Sequence, residues 1–213
     1  VIRAAAALDP PVPRLLSAMG ERPVGEAPTL VLGGGCAAGA LDHSLREAPD
    51  ARLLVLSALG AHPDARAPRL KALWDLEEQA RGAGRPVLTL RLAPIVGPQS
   101  PLWLRLRSRP RLPEPEHTLL NPVIESDVVE TLQRALEGRA AWEGWYEVAG
   151  AEAHTLEELA TLAATTPPLP AEAGAWEPPH AELREHRLAE CGPWAAHFGI
   201  TPGDVSTQAA SWR

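Results

Sequence analysis

The chain is short of several residues, and each shortage excludes something. Its 213 residues include two cysteines and one each of lysine, methionine, tyrosine and phenylalanine. Cys36 and Cys191 stand in no C-x-x-C arrangement, which excludes a disulfide-knit scaffold and fits a reducing compartment. No apolar run approaches the roughly 20 residues that span a bilayer. No Lys/Arg-led signal peptide opens the chain, so the expected location is the cytoplasm, with no membrane partner. Positive charge is short too: the formal net charge is −7, which sets the chain against nucleic acid, whose phosphates it would repel. The 23 prolines indicate stiff loops and carry no chemistry. With 45% apolar residues, the chain is long enough for one domain, or for a core with a small appended lobe.

Along the chain, apolar periodicity alternates between strand and helix. Val1 and the residues to Leu8 read as a first strand. Pro10, Pro11 and Pro13 open a helix through Leu15, Leu16 and Met19, because proline suits a first turn, and Gly20 stops it. A compact apolar run from Thr29 meets the flexible turn Gly33-Gly34-Gly35. A short helix over residues 41–47 leads to a strand over 52–57. The helix predicted over 69–83 sets Leu70, Leu73, Leu76 and Ala80 on one face. The apolar run of residues 86–96 is typical of a strand covered on both faces.

Residues 98–113, rich in proline and arginine, read as an irregular excursion. A strand over 121–125 precedes a helix over 127–137, with Ser126 as its cap and Asp127 complementing the helix dipole. A strand begins at Gly144. Thr155 and Glu158 form a capping box for a helix to about residue 164. A polar helix is predicted over 181–190, and the tail offers Trp194, Phe198 and Trp212 for burial. The alternation predicts a parallel α/β sheet with crossover helices. The organisation expected is a core over residues 1–165 and a small C-terminal lobe over 166–213.

In order, LLVLSALGA, a lysine helix, RPVLTLRLAPIVGP, NPVIESDVVETLQRALEG and WYEVAGAEAHTLEELA resemble the short-chain dehydrogenase/reductase superfamily. The likeness is to its extended and atypical branch of nucleotide-sugar epimerases and NmrA-like proteins, over roughly residues 29–165. It implies a Rossmann-like, doubly wound α/β sheet and an NAD or NADP site. By that resemblance Ser57 takes the place of the catalytic serine, and Lys71 that of the lysine that anchors the ribose. Arg91, Pro94, Ile95, Gly97 and Pro98 take the place of the turn beside the nicotinamide, with Leu92 where the family has proline. Asp127 matches the aspartate that opens the next helix, and is read here as capping and packing only. Gly33, Gly34 and Gly35 match a small-residue turn under the cofactor.

Two departures point to lost hydride chemistry. The family's Tyr-x-x-x-Lys reads Ala67-x-x-x-Lys71, and alanine has no proton to transfer. Tyr146 lies in a later strand and is a poor substitute. The first strand–helix turn would run from Ala6 to Pro11, where two prolines remove N–H donors and Asp9 repels phosphate. Alternatively, Val1-IR matches the family's second strand, and the first βα unit is not in this chain. The reading is a degenerate NAD(P)-binding protein acting as a binding, regulatory or assembly module, with NAD or NADP bound weakly or not at all. The alternative is an active NAD(P)-dependent oxidoreductase or nucleotide-sugar epimerase.

Each of these residues has a plainer reading. Ser57 could cap its turn. Lys71 could form only a surface ion pair with Asp75, worth about 0.3–0.5 kcal/mol. Gly33–Gly39 also fits G-x-G-x-x-A, a nucleotide loop in its own right. Arg105, Arg107, Arg109 and Arg111 could hold an anionic substrate or line a solvated loop. Cys36 reads as a small buried filler, and His43 is a weak candidate for its base. His180, His186 and His197 lack ligand spacing, so no metal site is expected. Leu70, Leu73, Trp74 and Ala80 could build a homodimer contact or belong to the core.

Overall fold

The apolar run that ends near Ser57 is the middle of the molecule's sheet. A computed structural model describes residues 2–4, 11–19, 28–33, 38–170 and 176–212. It runs β1 (Ile2–Ala4), α1 (Val12–Ala18), β2 (Thr29–Gly33), α2 (Ala38–Glu47), β3 (Arg52–Ala58), α3 (Pro68–Gly82), β4 (Val87–Leu92) and β5 (Ile95–Val96). There follow α4 (Pro101–Arg107), β6 (Leu119–Leu120), β7 (Val123–Ile124), α5 (Glu125–Leu136), β8 (Trp145–Val148), β9 (His154–Thr155), α6 (Leu156–Ala164), α7 (Gly192–Phe198) and α8 (Val205–Ala209). No described helix is long and apolar enough to cross a membrane.

β1, β2, β3, β4 and β8 form one parallel sheet in that order. Side chains alternate along a strand, so each strand feeds both faces. Val31, Leu54, Leu56, Leu88 and Leu90 pack with Leu15 of α1, Leu132 of α5 and Trp194 of α7. Leu30, Leu32, Leu53 and Val55 pack with Leu41 of α2 and with Leu70, Leu73, Leu76 and Ala80 of α3. Helices therefore cover both faces, as expected of a Rossmann-like α/β fold. This places Leu70, Leu73 and Ala80 in the core. Trp74 is half-buried at its edge.

A third apolar cluster lies beside the sheet. It joins Trp103 and Leu106 of α4 to Leu156 and Leu159 of α6, Leu183 and Val205. The tail beyond residue 165 serves both bodies: α7 sits on the sheet and α8 on this cluster.

Three sequence expectations need correction. Residues 101–107 are not irregular: Ser100 accepts a hydrogen bond from the Trp103 N–H, Pro101 opens α4, and Leu102, Trp103 and Leu106 are buried. Proline at the first helical position starts a helix, and here it reads misleadingly as a breaker. Residues 181–190 form only a single 3-10 turn, Glu182–Arg184. Beyond it the backbone of Arg187 bonds to the β6 edge, its N–H to Leu119 O at 2.8 Å and its C=O from Asn121 N at 2.9 Å. That pairing outcompetes local helix propensity. Finally, α5 starts at Glu125, so Ile124 and not Ser126 precedes it. The capping box of Thr155 and Glu158 forms as read, with both reciprocal bonds.

Candidate functional site

In open parallel sheets ligands bind beyond the carboxyl ends of the strands. Here a cleft lies there, over the ends of β3 and β4. Its floor is Leu56–Leu59 and Leu92–Ile95, and its walls bring in Val12, Arg69, Glu177, Glu182 and Arg187. Between its described walls the cleft is narrow, with a cavity volume of about 40 Å³, room for a few waters.

Ser57 faces this cleft, 4% exposed, and its Oγ has no hydrogen-bond partner among the described residues. A buried hydroxyl left unsatisfied costs roughly 1–3 kcal/mol, so it marks a place kept for something other than stability. We therefore expect Ser57→Ala to raise the unfolding free energy by about 1–2 kcal/mol, read by urea denaturation. A loss of stability would mean that the hydroxyl is satisfied in solution.

The charges around the cleft are matched. Arg69 Nη1 donates to both Glu182 oxygens, at 3.0 and 3.1 Å, and Glu182 is itself buried. Arg187 Nε donates to the Glu182 carbonyl at 3.3 Å, and its Nη2 stands 3.6 Å from Glu185. Burial lowers the Arg187 pKa, against the opposing pull of Glu185 and Glu182. Gly60, with φ +89°, makes room for it: a Cβ there would lie 1.9 Å from Arg187 Nη1. Arg14 bonds Glu125 and, at 3.1 Å, Glu177.

The structure brings Ser57, Pro94 and Ile95 together at the cleft, and Gly33, Lys71 and Arg91 are not among its walls. Arg91 sits opposite Ser57 in register. Its guanidinium makes a two-pronged bond to fully buried Glu77 of α3 (2.7–3.2 Å) and lies 4.5 Å over the Trp145 ring. Lys71 is exposed on α3 and is not a cleft residue, while Ala67 is buried in the apolar cluster under that helix. Tyr146 stacks on His197 at 4.3 Å, on β8.

Gly33 ends β2, buried. Gly34, Gly35, Cys36 and the turn from Ala6 to Pro10 lie outside the described residues. Asp127 accepts from the Gly203 N–H at 2.8 Å, a packing role, and burial raises its pKa. In the arginine ribbon, Arg107 bonds Pro167 O, Arg111 bonds Glu114, and Arg105 lies over Trp176. Arg69, Glu182 and Arg187 were not legible as site residues, since the Arg69–Glu182 pair joins positions 113 apart in the chain.

The fold and the position of this cleft define a Rossmann-like α/β protein. Among solved structures the chain is similar to nucleotide-sugar epimerases of the extended short-chain dehydrogenase type, the kind its sequence resembles. Helicobacter pylori ADP-L-glycero-D-manno-heptose-6-epimerase matches with a TM-score of 0.60 and 14% identity, over 95% of this chain and 75% of that one. Thermotoga maritima UDP-glucose 4-epimerase, solved with UDP-glucose, gives 0.57 and 15%, over 80% and 64%. Thermus thermophilus UDP-glucose 4-epimerase, solved with NAD, gives 0.55 and 20%, over 82% and 68%. No protein-family model matches the chain, and no curated protein sequence does. At these identities the likeness establishes the fold.

Proposed function

We propose that this chain is a short-chain-dehydrogenase-like Rossmann protein without hydride chemistry, serving as a binding, regulatory or assembly module through the cleft above Ser57. The observation that carries this reading is at α3. Hydride transfer to or from a carbonyl needs a neighbouring acid/base that moves a proton in the same step. The position that would hold the phenol is Ala67, packed inside the apolar cluster, and Lys71 four residues on is exposed. Tyr146 is engaged with His197 and is not a wall of the cleft.

Among the described residues the cleft offers the unpartnered Ser57 hydroxyl, an Arg187 Nη2 that makes no hydrogen bond but stands 3.6 Å from Glu185, and an Arg69 guanidinium tied to Glu182. That suits a small polar ligand held by Ser57, or the insertion of a partner's side chain, better than a pyrophosphate. NAD or NADP would bind weakly or not at all. The second reading, an active NAD(P)-dependent oxidoreductase or epimerase, draws on that same unpartnered hydroxyl at the end of β3 and on the NAD held by the Thermus epimerase.

Thermal unfolding with and without millimolar NAD⁺, NADH, NADP⁺ and NADPH decides between them. A ligand at a hundred times its Kd adds about 2.7 kcal/mol, which moves the midpoint by a few degrees. We expect no shift with any of the four. A clear shift with one of them would overturn the non-catalytic reading in favour of the second.

A further inference from the structure

The geometry points to a divalent-metal site, separate from the cleft, formed by Glu152, His154 and Asp204, each of which offers a ligand atom within 4.8 Å of the other two. None of the three is a wall of the cleft, so this site stands independently of the function proposed above.

His154 supplies the argument. β9 pairs antiparallel with β6, and His154 is buried there, 9% exposed as a residue. Its Nε2 is out of contact with solvent and has no hydrogen-bond partner among the described residues. The atom it faces is Asp204 Oδ1, at 3.9 Å, beyond hydrogen-bond reach. A cation between the two atoms resolves the arrangement once they close by a few tenths of an ångström, since two ligands of one tetrahedral ion bound at 2.0–2.2 Å stand about 3.3–3.6 Å apart.

Asp204 is held in place for this. Its Oδ2 accepts from the Thr207 N–H at 2.9 Å, the Thr207 hydroxyl at 2.7 Å and the Ser206 hydroxyl, while Oδ1 takes only the Ser206 N–H, at 3.1 Å. Oδ1 thus keeps a lone pair for His154's side. Glu152 is exposed and supplies the third ligand from just before β9. The nearby Glu158 accepts the Thr155 N–H on Oε2 and adds negative charge beside the site.

One imidazole nitrogen with two carboxylate oxygens suits Zn²⁺ better than Mg²⁺ or Ca²⁺, which take oxygen sets. Three protein ligands leave a fourth position for water. Such an ion would clamp the start of α6 to the start of α8. The chain could not announce the site, because Asp204 lies far along the sequence from Glu152 and His154.

Chelator-treated full-length protein is titrated with Zn²⁺ against a chromophoric chelator, and folding of each variant is checked by circular dichroism. The expected result is one equivalent bound, an affinity at least tenfold lower in both His154→Ala and Glu152→Gln, and no change in His117→Ala, an exposed histidine elsewhere. Glu152→Gln decides if His154→Ala fails to fold, because Glu152 is exposed. No zinc uptake by the unaltered chain, or equal uptake by Glu152→Gln, overturns the site and leaves a His154–Asp204 contact only.

Discussion

Replacing Glu77 by alanine is expected to lower the stability of the fold by about 3–5 kcal/mol, the usual consequence of stranding one charge of a buried pair. Glu77 is fully buried on α3 and Arg91 is nearly so on β4, and their two-pronged bond is made inside the protein. Removing the carboxylate leaves a largely buried guanidinium that has lost its partner and cannot lose its proton. The pair itself contributes little net stability, because both ions were desolvated to form it. The double variant Glu77→Leu with Arg91→Met should therefore recover most of the loss. Urea denaturation of the three proteins provides the check. The same series tests Arg91 as a cofactor residue. If its real task were to face a nucleotide, Glu77→Ala would cost under about 1 kcal/mol, as at an exposed pair, and would strengthen the thermal shift with NAD(P).

The contrast between Arg91 and Ser57 shows what a single sequence can reveal. Ser57 was legible because an apolar strand has to end somewhere, and the residue at its carboxyl end in a parallel sheet faces the ligand side whatever the family. Pro94 and Ile95 were carried by the resemblance, and they line the cleft from the end of the next strand. Arg91 and Lys71 were carried by resemblance alone, and side-chain direction is not inherited that way. Lys71 falls on the exposed side of α3, and Arg91 turns to a helix partner.

Strand and helix periodicity predicted the core elements well, because alternation and the Leu70–Leu73–Leu76–Ala80 stripe are set by burial itself. Failures came where something non-local decided. The segment around Arg187 gave up a helix to bond β6, and the Arg69–Glu182 wall of the cleft joins distant parts of the chain. The α4 helix is a different case: its cap at Ser100 and its apolar positions were readable, and the surrounding prolines obscured them.

Trp194→Ala is expected to destabilise the fold by about 3–5 kcal/mol, within the range for emptying a buried aromatic site. Trp194 of α7 is fully buried against the sheet face, and its indole N–H donates to Thr131 Oγ1 at 3.0 Å. Thr131 in turn donates to the Asp127 carbonyl at 2.7 Å, so the tail is bonded into α5. Arg134 of α5 closes the same contact from the other side, donating to the carbonyls of Phe198 and Gly199 at 2.6 Å each. Trp194→Phe, which keeps most of the volume and loses the N–H, should cost about 1 kcal/mol beyond its small cavity. The gap between the two variants separates packing from hydrogen bonding. It also bears on the cleft, because α5 begins with Glu125, the partner of Arg14, and Arg14 also holds Glu177 of the cleft wall. If α7 fixes that wall through α5, Trp194→Ala should also weaken whatever ligand the cleft takes, at temperatures where the variant is still folded. A destabilisation below about 1 kcal/mol, the ordinary surface value, would instead make α7 a dispensable appendage to the sheet.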